Sequence, residues 1–179
     1  MLVKTGREGL AARAGHDLTM EIVLWSARVT VPDTSDLAAA TVTAELDLGS
    51  LTVREGSGGA KPLSDRDRRD IQVQARKILG EPAQATFAST RVVPAAGAAT
   101  GGAATGGAIE GTLTMHGTTR PLRLQVTSQA PGRFRGGATV RQTDFGITPY
   151  SGFFGTLKLK NEIAVEFEVT IKDFQNGSV

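Results

Sequence analysis

The chain has two histidines, His16 and His116, and no cysteine. General acid–base catalysis asks for an imidazole beside a carboxylate, and His16 is followed directly by Asp17. Adjacent residues on a strand point to opposite faces, so these two make a poor dyad. A Ser–His–Asp triad would need a nucleophile, and no G-x-S-x-G elbow is present to present one. His16 and His116 also lack any spacing that would make them metal ligands. Absence of cysteine removes disulfides, thiolate catalysis and Cys-based metal sites. The Gly-rich stretch at 95–107, in which GAATG at 97–101 recurs at 102–106, has no Gly-Lys-Ser/Thr ending. It opens into a strand pattern rather than a helix, so it reads as a flexible linker within a loop and not as a phosphate cradle. These observations point to no catalytic residue, no metal and no cofactor.

The residues that carry function must then be apolar ones, and their spacing is regular. In Gly111–Val126, Leu113 and Met115 alternate with threonines, and Leu122, Leu124 and Val126 alternate with Arg123 and Gln125. Period two on both sides of a short His-Gly-Thr-Thr-Arg-Pro connection predicts a β-hairpin with one apolar face. Gly117 supplies the freedom to adopt a positive φ, and Pro121 is expected at a strand start.

The rest of the chain repeats the pattern. Leu2–Thr5 is a short strand candidate, and Glu8–Ala14 suggests about two helical turns ended by Gly15. ARAGHDL, at 12–18, reads as a helix C-cap and strand start or as a polar mouth. Asp17–Val31 alternates through Leu18, Met20, Ile22 and Leu24, then shifts phase to Ala27, Val29 and Val31, which predicts a bend near Leu24–Ser26. Pro32–Ala39 is a loop, Thr41–Leu48 a strand with Val42, Ala44, Leu46 and Leu48 inward, and Gly49–Pro62 a Gly- and Ser-rich connection. Ser64–Leu79 is the one convincing helix, with Ser64 as N-cap, Gly80 and Pro82 past its end, and an apolar stripe of Ile71, Ala75, Ile78 and Leu79. Such a stripe suits a helix lying on a barrel as plug or flank. Strands follow at Ala85–Val93, Ile109–His116, Thr119–Ala130 and Gly132–Thr143, where Phe134, Ala138 and Val140 face in. The final strand alternates Ile163, Val165, Phe167, Val169 and Ile171, and could close a barrel against the N-terminal strands.

About eight antiparallel strands and one helix fit a sandwich or a barrel equally. At 179 residues one domain, spanning 1–179, is expected. A net charge of +2, with cations and acids interspersed, argues against a nucleic-acid partner. Residues 1–18 lack an apolar signal-peptide core, which sets a cytoplasmic expectation, with a periplasmic or secreted location if a leader has been removed.

The segment GTLTMHGTTRPL resembles the hairpin pattern G-x-L-T-[ILM]-H-G-x-T-[RK]-P-[LV] of the YceI-like family. ILGEPAQATFAST is similar to that family's segment after its helix, and TDFGI, whose last four residues occupy 144–147, resembles a second motif. The likeness runs from about Gly15 to Ile171. It implies an all-β, eight-stranded, lipocalin-like antiparallel barrel with a flanking helix, binding a polyisoprenoid-type lipid or isoprenoid quinone. Several family members are periplasmic, a departure from the cytoplasmic expectation.

On that reading the inward positions Leu46, Phe87, Leu113, Met115, Leu124, Phe134, Val140 and Phe167 enclose an apolar cavity. Aromatics are only 5% of the chain and many inward positions are small, which favours open space over a filled interior. A head-group rim is placed at His16, Asp17, Arg141 and Asp144. A homodimer and a transient membrane contact are the further partners considered. Two other readings stand beside the carrier: a packed barrel without a ligand, and an enzyme on a small apolar substrate with His16, Asp17 or His116 as acid or base.

Overall fold

The computed structural model describes residues 1–32, 36–95 and 106–171. Within these the strands are β1 (Leu2–Glu8), β2 (Asp17–Ile22), β3 (Trp25–Thr30), β4 (Thr41–Asp47), β5 (Leu51–Ser57), β6 (Gln84–Pro94), β7 (Gly106–Met115), β8 (Thr118–Ala130), β9 (Arg133–Arg141), β10 (Ser151–Gly152) and β11 (Leu157–Thr170). Helix α1 (Asp65–Leu79) lies between β5 and β6. Every pairing is antiparallel, in the order β3-β4-β6-β7-β8-β9-β11-β1-β2-β5, with β10 on β11. The last strand does pair with the first, Leu2 opposite Glu166 and Val3 opposite Val165.

The sheet curls into a barrel because its two ends belong to one bent hairpin. β2 runs into β3 across Val23–Leu24, and β4 into β5 across Leu48–Ser50. The hairpin is antiparallel, so β2 pairs with β5 on one side and β1 on the other, while β4 pairs with β3 on one side and β6 on the other. Counting each bent pair as one strand and leaving β10 aside, eight strands make the ring. The bend falls where the phase shift placed it. It is fixed by Ser50, whose hydroxyl accepts the N–H groups of Val23 at 3.1 Å and Leu24 at 2.9 Å and donates to the Asp47 carbonyl at 2.6 Å.

Outward faces carry cross-strand ion pairs. Lys4 lies 2.7 Å from Glu166, Arg123 lies 2.6 Å from Glu110, and Arg133 pairs with Glu168. The Lys4 ammonium holds the Glu166 carboxyl below its ordinary range. Exposed pairs of this kind contribute little stability, but they favour one register over a slipped one. On the inner face two glycines let aromatic rings cross the backbone. A Cβ on Gly111 would fall 2.5 Å from the Phe87 ring, and one on Gly136 the same distance from that of Phe167.

Four local expectations are corrected. The Gly49–Pro62 connection contains β5, whose Leu51 and Val53 are buried opposite Ile22 and Met20; its flanking glycines hid a two-position alternation. Glu8–Ala14 is not two helical turns. Glu8 ends β1, and only Ala12–Ala14 forms a 3-10 turn, because pairing with β11 claims the first residues. Pro121 stands inside β8 opposite Thr112 rather than at its start. There β8 has β7 on one side alone, its pairing with β9 beginning at Gln125, so proline's missing N–H breaks no ladder. Gly106 and Gly107 belong to β7, while the rest of the loop after Ala95 lies outside the described residues, as do 33–35 of the Pro32–Ala39 loop.

The hairpin turn is His116–Gly117, at φ 51° and 70°, joining Met115 to Thr118. Two consecutive positive φ values suit the right-handed twist of the flanking strands. The His116 ring meets the Phe145 carbonyl at 3.2 Å, and Arg120 Nε donates to the Asp144 carbonyl at 3.0 Å. These bonds seat the 142–147 turn beside the unpaired part of β8, and its Phe145 and Ile147 are buried in the core.

Candidate functional site: an apolar cavity through the barrel

Inward side chains of the strands do not meet across the barrel. They enclose a cavity of about 1490 Å³. All eight positions named from the sequence border it: Leu46 on β4, Phe87 on β6, Leu113 and Met115 on β7, Leu124 on β8, Phe134 and Val140 on β9, and Phe167 on β11. Phe87, Leu113, Met115 and Val140 are buried, whereas Leu46, Leu124, Phe134 and Phe167 are half-buried. Small inward residues such as Ala27, Ala44 and Ala138 account for much of the space, since each stands where a longer side chain would reach the axis.

One end of this cavity is covered by α1. The helix starts at a reciprocal capping box: Ser64 Oγ accepts the Asp67 N–H at 3.2 Å and the Asp67 carboxylate accepts the Ser64 N–H at 2.9 Å. Bonds from the Ser64 hydroxyl, then from its N–H, hold the Asp67 carboxyl below its ordinary pKa. Arg68 fastens the helix to β5, donating to the Arg54 carbonyl at 2.6 Å. Ile71, Ala75, Ile78 and Leu79 pack on the core and also face the cavity, so the helix crosses the barrel end as a plug. The stripe was legible in the sequence, which left plug and flank both open; the tertiary structure chooses the plug.

Around the plug the wall carries the polar residues His16, Lys61, Asp67, Asp70, Gln74 and Tyr150. His16 Nε2 is 2.7 Å from the Lys61 carbonyl, tying the 9–16 loop to the segment before α1. Arg7 donates to the carbonyls of Gly15, at 2.5 Å, and Ser57, at 3.0 Å. At the opposite end the wall is mostly apolar, with Val31, Leu37, Ala40, Val93, Pro94, Gly106 and Ile171 beside the polar residues Arg28, Glu168 and Thr170.

Of the four rim residues expected, only His16 borders the cavity. Asp17 turns away and accepts the Arg7 N–H at 2.8 Å, because β2 sends Leu18 and Met20 inward and so puts Asp17 on the other face. Arg141 follows inward Val140 by one position and is exposed for the same reason. Asp144 is exposed in the turn that buries Phe145. Sequence reasoning left out β1, β2 and β5, whose Val3, Leu18, Met20, Ile22 and Leu51 form a buried part of the wall. The alternation in β2 was the signal for three of them, Leu18, Met20 and Ile22. Gln74 stands three residues after Ile71 and four before Ile78, so helix spacing was its signal; Lys61 and Tyr150 had none, since loop positions acquire a direction only through packing.

A family model for the YceI-like domain matches residues 7–171. The chain belongs to the YceI-like domain family. Solved structures with the same fold include Burkholderia cenocepacia BcnA, at TM-score 0.61 and 17% identity over 95% of this chain and 96% of that one. A polyisoprenoid-binding domain from Saccharophagus degradans, implicated in plant cell wall breakdown, aligns at TM-score 0.51 and 16% identity over 93% of this chain and 90% of that one. The Campylobacter jejuni YceI protein aligns at TM-score 0.52 and 13% identity, covering 86% and 85%. No curated protein matches significantly. Identities this low show a shared fold. No helix among the described residues is long and apolar enough to cross a membrane.

Proposed function

We propose that this YceI-like domain is a carrier for a long-chain apolar lipid, of the polyisoprenoid or isoprenoid-quinone class, held along the barrel axis. The cavity is the observation that carries the reading. Pockets for drug-sized ligands run to about 1,000 Å³, and this one, at about 1490 Å³, is larger. At about 30 Å³ per non-hydrogen atom, it has room for roughly fifty atoms, a matching size for a chain of several isoprene units. A compact ligand would leave much of the wall dry and uncontacted. The polyisoprenoid-binding domain with the same fold supports the choice of chain chemistry.

A binding role is favoured over catalysis by what the histidines do. His16 meets the Lys61 carbonyl and His116 the Phe145 carbonyl, while the Asp17 carboxylate is taken by Arg7. Each group has a structural partner, and none is aimed at a shared reaction centre.

Organic extraction of the purified protein followed by mass spectrometry tests the reading, with a titration of stripped protein by a polyisoprenol. A co-purifying or titratable long-chain isoprenoid is expected. A protein that yields none, and takes up none, overturns the carrier in favour of a barrel without a ligand.

A further inference from the structure

Most large apolar residues of this chain face the barrel, but Leu10 is 96% exposed and Phe154 fully so. They stand on two different loops that the fold holds together. Leu10 lies between β1 and β2, Phe154 between β10 and β11, and the Ala11 N–H donates to the Thr156 carbonyl at 2.9 Å. Phe154 is held in the left-handed region at φ 56°, a conformation a bulky side chain adopts only at a cost in strain. The strain serves no packing, since the ring touches water on all sides.

The same two loops build the wall of the cavity. The first continues into Ala14, Gly15 and His16, and the second is bracketed by Tyr150 and Leu157, all of which border the space inside. Gly15 and Leu157 close the contact, for a Cβ on Gly15 would sit 2.7 Å from the Leu157 side chain. An apolar tip on the outside therefore adjoins the apolar chamber.

Charge identifies what the tip meets. From Gly9 to His16 and from Tyr150 to Lys158 the only charged side chains are Arg13 and Lys158. Both are exposed, and neither has an ion-pair partner among the described residues. One exposed acid, Glu8, stands at the end of β1 directly opposite Lys158, so Arg13 is the cation left without an acid across from it. Two apolar residues flanked by exposed cations, with a local excess of one positive charge once Glu8 is counted, match a bilayer with anionic head groups, where apolar side chains enter the acyl boundary and cations stay with phosphate.

We propose that Leu10 and Phe154 form a membrane-docking tip, through which the barrel meets the anionic bilayer that holds its ligand. The proposal rests on the carrier reading for its purpose: a long isoprenoid is nearly insoluble in water, so a carrier gains by loading while in contact with the lipid phase. Docking itself can be read without any ligand.

The test is flotation with phosphatidylcholine vesicles, with and without phosphatidylglycerol, of the full chain and of the double variant Leu10→Ser, Phe154→Asn. Asparagine tolerates the left-handed backbone, and both sites are exposed, so the fold should be kept, as an unchanged melting temperature would verify. The wild type should float with the phosphatidylglycerol vesicles, and high salt should weaken it. The double variant should bind them at least tenfold more weakly, while its affinity for a polyisoprenol added from ethanol stays as in the wild type. A double variant that floats like the wild type overturns the proposal, and so does a wild type that ignores every vesicle. If, instead, the same residues drive self-association seen by sedimentation, with no flotation, the tip belongs to a second copy and the bilayer is overturned. A wild type that floats yet takes up no polyisoprenol supports the docking tip and overturns the carrier.

Discussion

Ala44→Trp tests whether the barrel interior is open space or packed core, because the two cases differ in sign. Ala44 lies on β4, half-buried, opposite Ala27 on β3 and Phe87 on β6, and it borders the cavity. A tryptophan side chain presents about 150–250 Å². If roughly 100 Å² of the added ring leaves water against the wall, the gain is about 2.5 kcal/mol. Fixing its rotamer takes back about 1 kcal/mol. The net is a stabilisation on the order of 1 kcal/mol, a rise of about 2–4 °C in a domain of this size. In a filled core the same change would overpack it and destabilise by about 1–3 kcal/mol. For binding the direction is reversed. The nine added non-hydrogen atoms take about 270 Å³, close to a fifth of the cavity. Long isoprenoids should therefore lose affinity by tenfold or more, and short ones much less. The assay pairs a thermal melt by circular dichroism with native mass spectrometry against isoprenols of graded length. A melting temperature that falls by several degrees, with the length dependence unchanged, would refute an open chamber at Ala44.

Gly111→Ala should destabilise by about 1–3 kcal/mol, because the new methyl meets the Phe87 ring and the Ala88 carbonyl; a denaturant midpoint equal to that of the wild type would contradict it. Ile78→Asp puts a charge under the plug and should cost on the order of 3 kcal/mol, read as a lowered melting temperature. Thr5 Oγ1 is buried with no hydrogen-bond partner among the described residues, so Thr5→Val should be neutral or stabilising by about 1 kcal/mol, visible as an equal or higher melting temperature. Asp67 titrates below its ordinary value because the ionised carboxylate accepts the Ser64 bonds, so its contribution is present above the ordinary aspartate pKa and is lost as pH falls through the depressed one. The difference in melting temperature between the wild type and Asp67→Asn should accordingly shrink on going from neutral to strongly acidic pH, and a difference independent of pH would remove Asp67 from the cap.

Much of the barrel was written in period two. Leu113 and Met115, Phe134 and Val140, and Ile163 to Phe167 alternate with polar neighbours, and on a pleated strand alternation alone decides which side faces the axis. The Ser64 cap and the Ile71–Ile78 stripe likewise follow from helix geometry. β5 escaped, because two inward residues between glycine-rich flanks are too few to show a period. The rim escaped for a different reason: Asp17 and Arg141 were chosen by chemistry, whereas standing one residue before Leu18 and one after Val140 put them on the outer face. Two decisions belonged to tertiary structure alone. A strand's sequence states that one face is apolar but not how far away the facing strand stands, so whether those faces meet or leave about 1490 Å³ between them depends on the closure of the ring. Leu10 and Phe154, ordinary loop residues in the sequence, became a paired apolar tip only when the Ala11–Thr156 bond brought two distant loops to the same end.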